Sequence, residues 1–139
     1  MRISIFSFSM GAIMLLAVSC NKSNVNSPDV AQIVSSGAWH VTLFTKNGID
    51  STSGFSGYSF SFTNNGTVTA IKITVTKSGT WSVNSSAGKF NIDFGPKGNS
   101  NIPFGELTDD WKILSSNATE IRLGDDNTAS NEFLTFTKN

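Results

Sequence analysis

Hydrophobic and polar residues alternate with a period of two over most of the chain from Ala38 onward. This alternation is typical of β-strands with one buried face, because successive side chains point to opposite sides of a strand. Eight short segments show it, separated mainly by Gly-, Asn- and Ser-rich turns. The residues expected to face inward are Trp39, Val41 and Leu43; Tyr58, Phe60 and Phe62; Ile71, Ile73 and Val75; Trp81 and Val83; Phe90, Ile92 and Phe94; Trp111 and Ile113; Ile121 and Leu123; and Leu134 and Phe136.

The segments between the strands predict the turns. Asn64-Asn65-Gly66 is typical of a hairpin turn that needs positive φ, and Ser78-Gly79 predicts a further turn. Val68 does not fit the alternation of apolar and polar residues that follows it, which predicts a β-bulge near Ala70. Residues 95–106 contain two prolines and three glycines and predict a longer, mobile flap.

Eight strands of this kind predict an all-β domain, arranged either as a sandwich of two sheets or as a closed barrel. Short sequential turns favour pairing of neighbouring strands in order, and closure of the sheet removes exposed edges. We therefore expect a single eight-stranded antiparallel up-and-down barrel. The interior of such a barrel is either filled by side chains or holds one small ligand.

A short helix is predicted before the first strand. Ser27 and Pro28 suit its beginning, as a capping residue and a first-turn proline. Val30, Ile33 and Val34 recur at helical spacing and form one apolar face. We expect this face to pack against the barrel and the helix to close one end of it.

The first 19 residues have the layout of a secretory signal peptide. Arg2 provides a positive start, Met10 to Val18 form an apolar stretch, and small residues precede Cys20. The apolar stretch is shorter than the roughly 20 residues that a membrane-spanning helix needs. Residues 1–19 are therefore predicted to be a signal peptide.

The segment Leu16-Ala17-Val18-Ser19-Cys20 resembles the lipobox of bacterial lipoproteins, in which the cysteine thiol is joined to diacylglycerol and palmitate is a typical further acyl group. The alternative is cleavage near Ala17 or Ser19 that leaves Cys20 as a free thiol. Each acyl methylene buried in a bilayer contributes about 0.8 kcal/mol, so two or more chains anchor a protein stably. The domain order predicted is signal peptide 1–19; lipidated Cys20, polar tether and start of the helix, 20–32; and barrel domain 33–139.

Charge and composition narrow the classes of partner. Ten Lys and Arg residues balance ten Asp and Glu residues, so there is no basic excess to bind nucleic acid. Three Trp and eleven Phe residues suit a β-domain with an aromatic core.

Few residues support catalysis or metal binding. His40 is the only histidine and its parity is outward, so a His-based metal site or a Cys-His pair lacks its second member. Asp109 and Asp110 are adjacent and point to opposite sides of an extended segment, which is a poor arrangement for acid/base carboxylates. Asp125-Asp126-Asn127 lacks the spacing of a calcium loop. We expect no catalytic residue, no metal and no cofactor.

Several motifs occur in the order found in one family. Gly37-Ala38-Trp39, which follows the short helix, matches the Gly-x-Trp signature of lipocalins, and Thr108-Asp109-Asp110-Trp111 is similar to a loosened form of their Thr-Asp-Tyr motif. The arrangement resembles the lipocalin-like domain lipoproteins of Bacteroidetes over about residues 33–138. The resemblance implies a lipid-anchored protein, in the outer membrane of a Gram-negative bacterium. Three further motifs carry it: Phe60 to Gly66, Gly79 to Ser82, and Asp110-Trp111.

In lipocalins a late arginine covers the signature tryptophan. Arg122 is the only arginine after the signal peptide, and its parity is outward. It either reaches the barrel end and stacks on Trp39, or is a solvated strand residue. The stacking contact would contribute only about 1 kcal/mol at a partly exposed site.

Two functions remain open. In the first, the barrel is a non-catalytic binding module that encloses a small hydrophobic molecule. In the second, the same aromatic residues fill the core, and the outer faces and loops bind an envelope protein or glycan. The candidate ligand-binding residues are Trp39, Tyr58, Phe60, Trp81, Phe90 and Trp111.

The loop after the first strand carries a possible modification signal. Asp50-Ser51-Thr52 resembles the O-glycosylation acceptor of Bacteroidetes, and an ordinary loop is the alternative.

Overall fold

Nine β-strands and one α-helix make up most of the regular structure in the computed structural model, which describes residues 29–139. Helix α1 spans Val30–Val34. Short 3-10 helices cover Thr52–Phe55, Asn99–Asn101, Phe104–Leu107 and Thr128–Ser130. The strands are β1 (Ala38–Lys46), β2 (Ile49–Asp50), β3 (Ser59–Phe62), β4 (Thr67–Lys72), β5 (Val75–Asn84), β6 (Lys89–Asp93), β7 (Asp109–Ser116), β8 (Glu120–Gly124) and β9 (Phe133–Lys138).

Eight of these strands form a closed antiparallel barrel. Neighbours pair in the order β1, β3, β4, β5, β6, β7, β8 and β9, and β9 returns to pair with β1. The closing pairs run from Trp39 opposite Lys138 to Thr45 opposite Phe133. Strand β2 pairs only with the end of β1 and lies outside the barrel. The predicted eight-stranded up-and-down barrel is therefore confirmed.

The seam between β1 and β3 is much shorter than the seam between β1 and β9. Only Ala38 with Ser61 and Trp39 with Phe60 are paired there. Beyond these pairs the 3-10 helix Thr52–Phe55 lies against β1. Its Phe55 side chain is buried, with ring centroids 5.4 Å from Phe44 and 6.4 Å from Phe60. An aromatic wedge thus completes the wall where strand pairing stops.

The up-and-down order gives the barrel two different ends. Helix α1 and the turns at 63–66 and 85–88 lie at one end, which we call the helix end. The connections 47–58, 94–108 and 125–132 lie at the other end, which we call the loop end. The long irregular segments are therefore gathered on one side of the barrel.

Aromatic side chains fill the barrel interior. Phe136 makes edge-to-face contacts with Phe60 and Phe62, each at a centroid separation of 5.4 Å. Phe62 also meets Phe90 at 5.8 Å, and Phe90 stacks on Trp81 at 5.8 Å. Such pairs contribute about 0.5–1.5 kcal/mol beyond the burial of their area. One continuous cluster of contacts therefore joins strands from all round the barrel.

The predicted helix is confirmed, with a different capping residue. Asp29 is the N-cap, and its Oδ1 accepts a hydrogen bond from the Ala31 N–H at 3.4 Å. Ile33 and Val34 are buried, and Val30 packs against the core, as their spacing predicts. Ser27 and Pro28, expected at the helix start, lie outside the described residues.

The strand predicted over residues 71–76 is wrong. The chain reverses at Ile73-Thr74, where Ile73 has φ of 54°, and β5 then runs without a turn through Ser78-Gly79. Pairing of Phe62 with Val68 directs Val68 and Ala70 into the core. The three residues predicted to face inward are instead exposed: Ile71 (46%), Ile73 (92%) and Val75 (50%).

The predicted bulge at Ala70 is also absent from the pairing of β3 with β4, which is regular. Irregularities occur instead between Val41 and Leu43 in β1 and between Ile113 and Ser115 in β7. An extra residue in one strand exchanges the inward and outward positions that follow it. Phe44 is therefore buried and Leu43 lies on the outer face, the reverse of the predicted pattern.

Gly79 is in the middle of β5 because the interior leaves no room for a side chain there. A Cβ atom on Gly79 would collide with the Asp93 carbonyl oxygen and would lie 2.8 Å from the Phe94 ring. We expect Gly79→Ala to lower the free energy of unfolding by about 2 kcal/mol or more, as overpacking does. The matched control is Ser78→Ala on the exposed side of the same strand, for which a change within about 0.5 kcal/mol is expected. Equal urea denaturation midpoints for the two variants would contradict this account.

Candidate functional site

The six aromatic residues predicted to bind a ligand belong mostly to the core. Tyr58 differs from the other five, because it is only half-buried and lies towards the loop end. Of the pockets considered below, only one includes any of the six, through Tyr58. Contact with a ligand stays a prediction for these residues. The five that are buried are Trp39, Phe60, Trp81, Phe90 and Trp111.

The three tryptophans hold the ends of the barrel through their indole N–H groups. A buried indole N–H needs an acceptor, and a backbone carbonyl supplies one in each case. These bonds fix each ring to a segment that precedes or follows a strand. The pairs are Trp39 Nε1 to Val34 O at 2.8 Å, Trp81 Nε1 to Thr63 O at 2.9 Å and Trp111 Nε1 to Leu107 O at 2.9 Å.

A lysine, and not the arginine considered from the sequence, lies over Trp39. The Lys138 Nζ is 5.6 Å from the centre of the Trp39 ring and donates a hydrogen bond to Ser36 Oγ at 3.1 Å. Arg122 is an exposed strand residue, paired with Thr135 on β9. The solvated alternative for Arg122 is therefore confirmed. The contact of Lys138 with Trp39 was not predicted from the sequence, because only the pairing of β9 with β1 brings the two residues opposite each other.

A pocket of about 420 Å³ opens at the loop end, and we call it the mouth pocket. It lies between the end of β1, the 3-10 helix Thr52–Phe55 and the segment 102–106. Its lining combines apolar and charged groups. The lining residues are Phe44, Lys46, Asp50, Ser51, Ser53, Gly54, Phe55, Ile102, Pro103 and Glu106.

Contacts on one side of the mouth pocket fasten the segment 95–106 to the barrel. Lys46 forms an ion pair with Glu106, whose side chain is largely buried. Phe104 is buried and meets the Tyr58 ring edge-on at 5.0 Å and the Phe55 ring at 6.3 Å. The segment predicted to be a mobile flap thus places an aromatic ring in the barrel mouth.

Thr52 links the opposite side of the mouth pocket to β1. Its Oγ1 accepts a hydrogen bond from the Phe44 N–H at 2.8 Å, and its own N–H donates to Asp50 Oδ1 at 2.9 Å. The Thr52 hydroxyl in turn donates a long hydrogen bond of 3.5 Å to the Phe44 carbonyl oxygen. The Thr52 hydroxyl, and then its N–H, hold the pKa of Asp50 below the ordinary value of 3.8. Within the tripeptide considered for glycosylation, Thr52 therefore has a structural role.

A second opening lies beside the mouth pocket and shares Ser53 and Phe55 with it. This side groove of about 390 Å³ follows the short β1–β3 seam. His40 is exposed, as its parity predicts, and its Nδ1 is 3.1 Å from Tyr58 O. The remaining lining residues are Val41, Thr52, Ser56, Gly57 and Tyr58.

Three of the acidic residues considered for catalysis and calcium binding, Asp109, Asp110 and Asp126, are partners of lysines. Asp109 lies 3.0 Å from Lys97 Nζ. Asp110 lies 3.5 Å from Lys89 Nζ, which also pairs with Asp126. The hydrogen bond to Asp126 raises the pKa of Lys89. Residues 29–139 hold no group of three or more His, Cys, Asp or Glu arranged for a metal ion.

No helix within the described part of the chain is both long and apolar enough to cross a membrane.

The barrel is similar to a solved bacterial structure. A DUF4847 family protein from Bacteroides vulgatus ATCC 8482 superposes with a TM-score of 0.58 and 21% identity, covering 79% of this chain and 97% of that chain. A protein from Burkholderia xenovorans has a TM-score of 0.47 and 14% identity, over 86% of this chain and 96% of its own. No protein-family profile matches the chain, and no curated protein matches it. The likeness to the Bacteroides protein concerns the fold.

The role of Thr52 can be tested with a substitution that keeps its shape. We expect Thr52→Val to lower the free energy of unfolding by about 1–2 kcal/mol, because the Phe44 N–H loses its acceptor. The NMR-titrated pKa of Asp50 should rise towards 3.8, since the hydroxyl that stabilises the carboxylate is gone. Ser53→Ala, at the next and exposed position, is the control and should change neither value. An unchanged Asp50 titration in Thr52→Val would exclude the proposed link.

Proposed function

We propose that this protein is a lipid-anchored, non-catalytic binding module of the cell envelope, and that its ligand occupies the mouth pocket. One observation carries the proposal: aromatic rings fill the barrel interior, whereas a pocket of about 420 Å³ opens at the loop end. Small-molecule sites usually enclose about 300–1,000 Å³ and sit, among other places, in the mouths of β-barrels.

The contact pattern favours the mouth over the interior as the place of binding. A ligand inside the barrel would have to separate rings such as Phe60 and Phe136, whose centroids are 5.4 Å apart. Protein cores are packed as densely as organic crystals, so such a separation would lose aromatic contacts that hold the core together. A ligand in the mouth pocket leaves those contacts intact.

The lining of the mouth pocket indicates an amphipathic ligand. Phe44, Phe55, Ile102 and Pro103 provide apolar surface. Asp50 and the Lys46–Glu106 pair place charges at the same opening. A molecule with an apolar body and a hydroxyl-bearing or charged group matches both kinds of surface.

Anchoring through Cys20 is part of the proposal. Cys20 lies outside the described residues, and the lipobox-like residues 16–20 support its lipidation. The polar residues 21–27 would then serve as a tether between the bilayer and helix α1. The resemblance to the lipocalin-like domain lipoproteins of Bacteroidetes supports the outer membrane as the location.

A second candidate function is binding of an envelope protein or glycan at the loop end. The observation that favours it is a set of aliphatic side chains on separate connections at that end. These residues are far more exposed than aliphatic side chains usually are in proteins. They are Ile49 at 69%, Ile73 at 92% and Ile102 at 60%.

The binding proposal predicts a ligand-dependent gain in stability. Residues 21–139, which contain the whole barrel, would be heated with fatty acids, sterols, tetrapyrroles, menaquinone-like compounds and envelope oligosaccharides. A ligand present at 100 times its Kd stabilises the folded state by about 2.7 kcal/mol, which raises the melting temperature by several degrees.

The matched variants locate the effect. Ser53→Trp obstructs the mouth pocket and the adjoining side groove, which share Ser53, and should abolish the shift. Ser86→Trp, in an exposed turn at the helix end, should keep it. A panel without any shift would refute binding of a small molecule or of these glycans, and would leave binding of an envelope protein as the second candidate. A shift that persists in Ser53→Trp would place the ligand elsewhere.

Lipidation has a test of its own. Cells expressing the full chain would be labelled with an alkyne fatty acid, and the label on the purified protein would be compared with that on Cys20→Ala. We expect labelling of the wild type and none of the variant, because Cys20 is the only cysteine in the chain. Equal labelling of the two proteins would disprove anchoring at this residue.

A further inference from the structure

A third opening lies on the outer wall of the barrel, away from the mouth pocket. This outer groove encloses about 170 Å³ and crosses strands β1, β9, β8 and β7. Most of its surface is apolar, although it contains one guanidinium and one hydroxyl group. Its lining residues are Leu43, Leu114, Arg122, Leu123, Phe133 and Thr135.

The two strand irregularities build the sides of the outer groove. In β1 the shift between Val41 and Leu43 places Leu43 opposite Thr135 on the outer face. In β7 the shift between Ile113 and Ser115 leaves Leu114 as the extra residue, and its side chain lies over Gly124. Two leucines thus stand on opposite edges of a sheet face that would otherwise carry polar residues.

Thr135 forms the floor of the outer groove. It is only 7% exposed, although its parity directs it to the outer wall, and it is the one buried polar residue within residues 29–139. Its hydroxyl makes no hydrogen bond within residues 29–139. Because no buried side-chain oxygen there is left without a partner, the Thr135 oxygen is accessible from the groove that Thr135 lines. A hydroxyl in this position is available to a molecule that enters the groove.

Arg122 provides a cation next to this hydroxyl. It is directly opposite Thr135 in the β8–β9 pairing, and Leu43 is opposite Thr135 on the other side. Directly opposite side chains on one sheet face have Cβ atoms about 4.5–5.5 Å apart. No carboxylate of residues 29–139 pairs with the Arg122 guanidinium, which distinguishes it from Lys46, Lys89 and Lys97.

We propose that the outer groove binds a carboxylate attached to a short apolar group. The carboxylate would accept hydrogen bonds from Arg122 and Thr135, since a guanidinium fork and a hydroxyl are both suitable donors. The apolar group would lie between Leu43, Leu114 and Phe133. A dry cavity of about 150 Å³ holds a benzene-sized molecule, so a groove of this size takes about six carbon atoms.

Two sources supply this chemistry: a free short-chain fatty acid and the carboxyl terminus of a peptide that ends in an aliphatic residue. Hexanoate is the probe for the first source. A tripeptide ending in leucine, with a free carboxylate or with a terminal amide, is the probe for the second. Tighter binding of the free-carboxylate tripeptide than of hexanoate would identify a protein terminus as the natural ligand, and the reverse would identify a small acid.

The experiment is an NMR titration of ¹⁵N-labelled residues 21–139. With hexanoate we expect saturable shifts of the Arg122, Thr135 and Leu43 amides. Arg122→Gln should raise the Kd about tenfold or more, because a charge-assisted hydrogen bond is lost. Thr135→Val should raise the Kd by a smaller factor, about three- to tenfold, because a neutral donor is lost. Hexan-1-ol should bind more weakly than hexanoate.

Lys112→Gln is the matched control, since Lys112 is an exposed cation on the neighbouring strand and does not line the outer groove. It should bind hexanoate as the wild type does. An absence of saturable shifts, an equal Kd for wild type and Arg122→Gln, or an equal loss in Lys112→Gln would each overturn the proposal. The positions of the shifted amides show whether a ligand binds at the outer groove or at the mouth pocket, so each of the two proposals can be refuted without affecting the other.

Discussion

The uneven closure of the barrel at β1 is the constraint on which the other features depend. Strand β1 pairs with β9 over nearly its whole length, but with β3 through two residue pairs only. The wall beyond those pairs is completed by Phe55, which packs against Phe44 and Phe60. Because an aromatic ring replaces a strand ladder there, the backbone on either side is free to diverge. The mouth pocket and the side groove both open beside this ring.

Each strand irregularity decides at the same time which residues fill the interior and which residues lie on the outer surface. The irregularity in β1 brings Phe44 into the core, where it contacts Phe55 and Trp111, and at the same time moves Leu43 outside. The same irregularity thus adds the Phe44 side chain to the core and places the aliphatic Leu43 side chain on the outer wall. The irregularity in β7 has the same outward consequence at Leu114. The apolar surface on this wall therefore depends on the same irregularity as the packing of the interior. With regular pairing, β1 would place neither Phe44 in the core nor Leu43 on the outer wall.

Sequence patterns predicted the fold well, because the barrel follows from local alternation and short turns. They failed where the register between distant segments decides the outcome. The run from Ile71 to Thr76 alternates perfectly and predicts one continuous strand. The chain in fact turns at Ile73-Thr74 and Lys72 pairs with Val75, so Ile71 and Val75 lie on opposite faces of the hairpin, and an unbroken period of two does not reveal the turn. Lys138 and Trp39 are neighbours only through the closing pairs. The candidate pockets were harder still to predict from the sequence, because they lie on segments without periodicity, such as 50–55 and 102–106. The positions of these segments depend on Phe55, Phe104 and one ion pair.

The division between a packed interior and irregular outer pockets bears on how such a barrel accommodates function. In a barrel with a hollow interior, each residue that contacts a ligand is also a core residue, so a change of specificity alters stability. Here the residues of the mouth pocket fall into two groups. Phe44 and Phe55 support the seam and are buried, whereas Ser53 and Ile102 are exposed at the rim. Substitutions at exposed positions usually alter stability by no more than about 0.5 kcal/mol. The rim of the mouth pocket can therefore vary while the aromatic core continues to determine the fold.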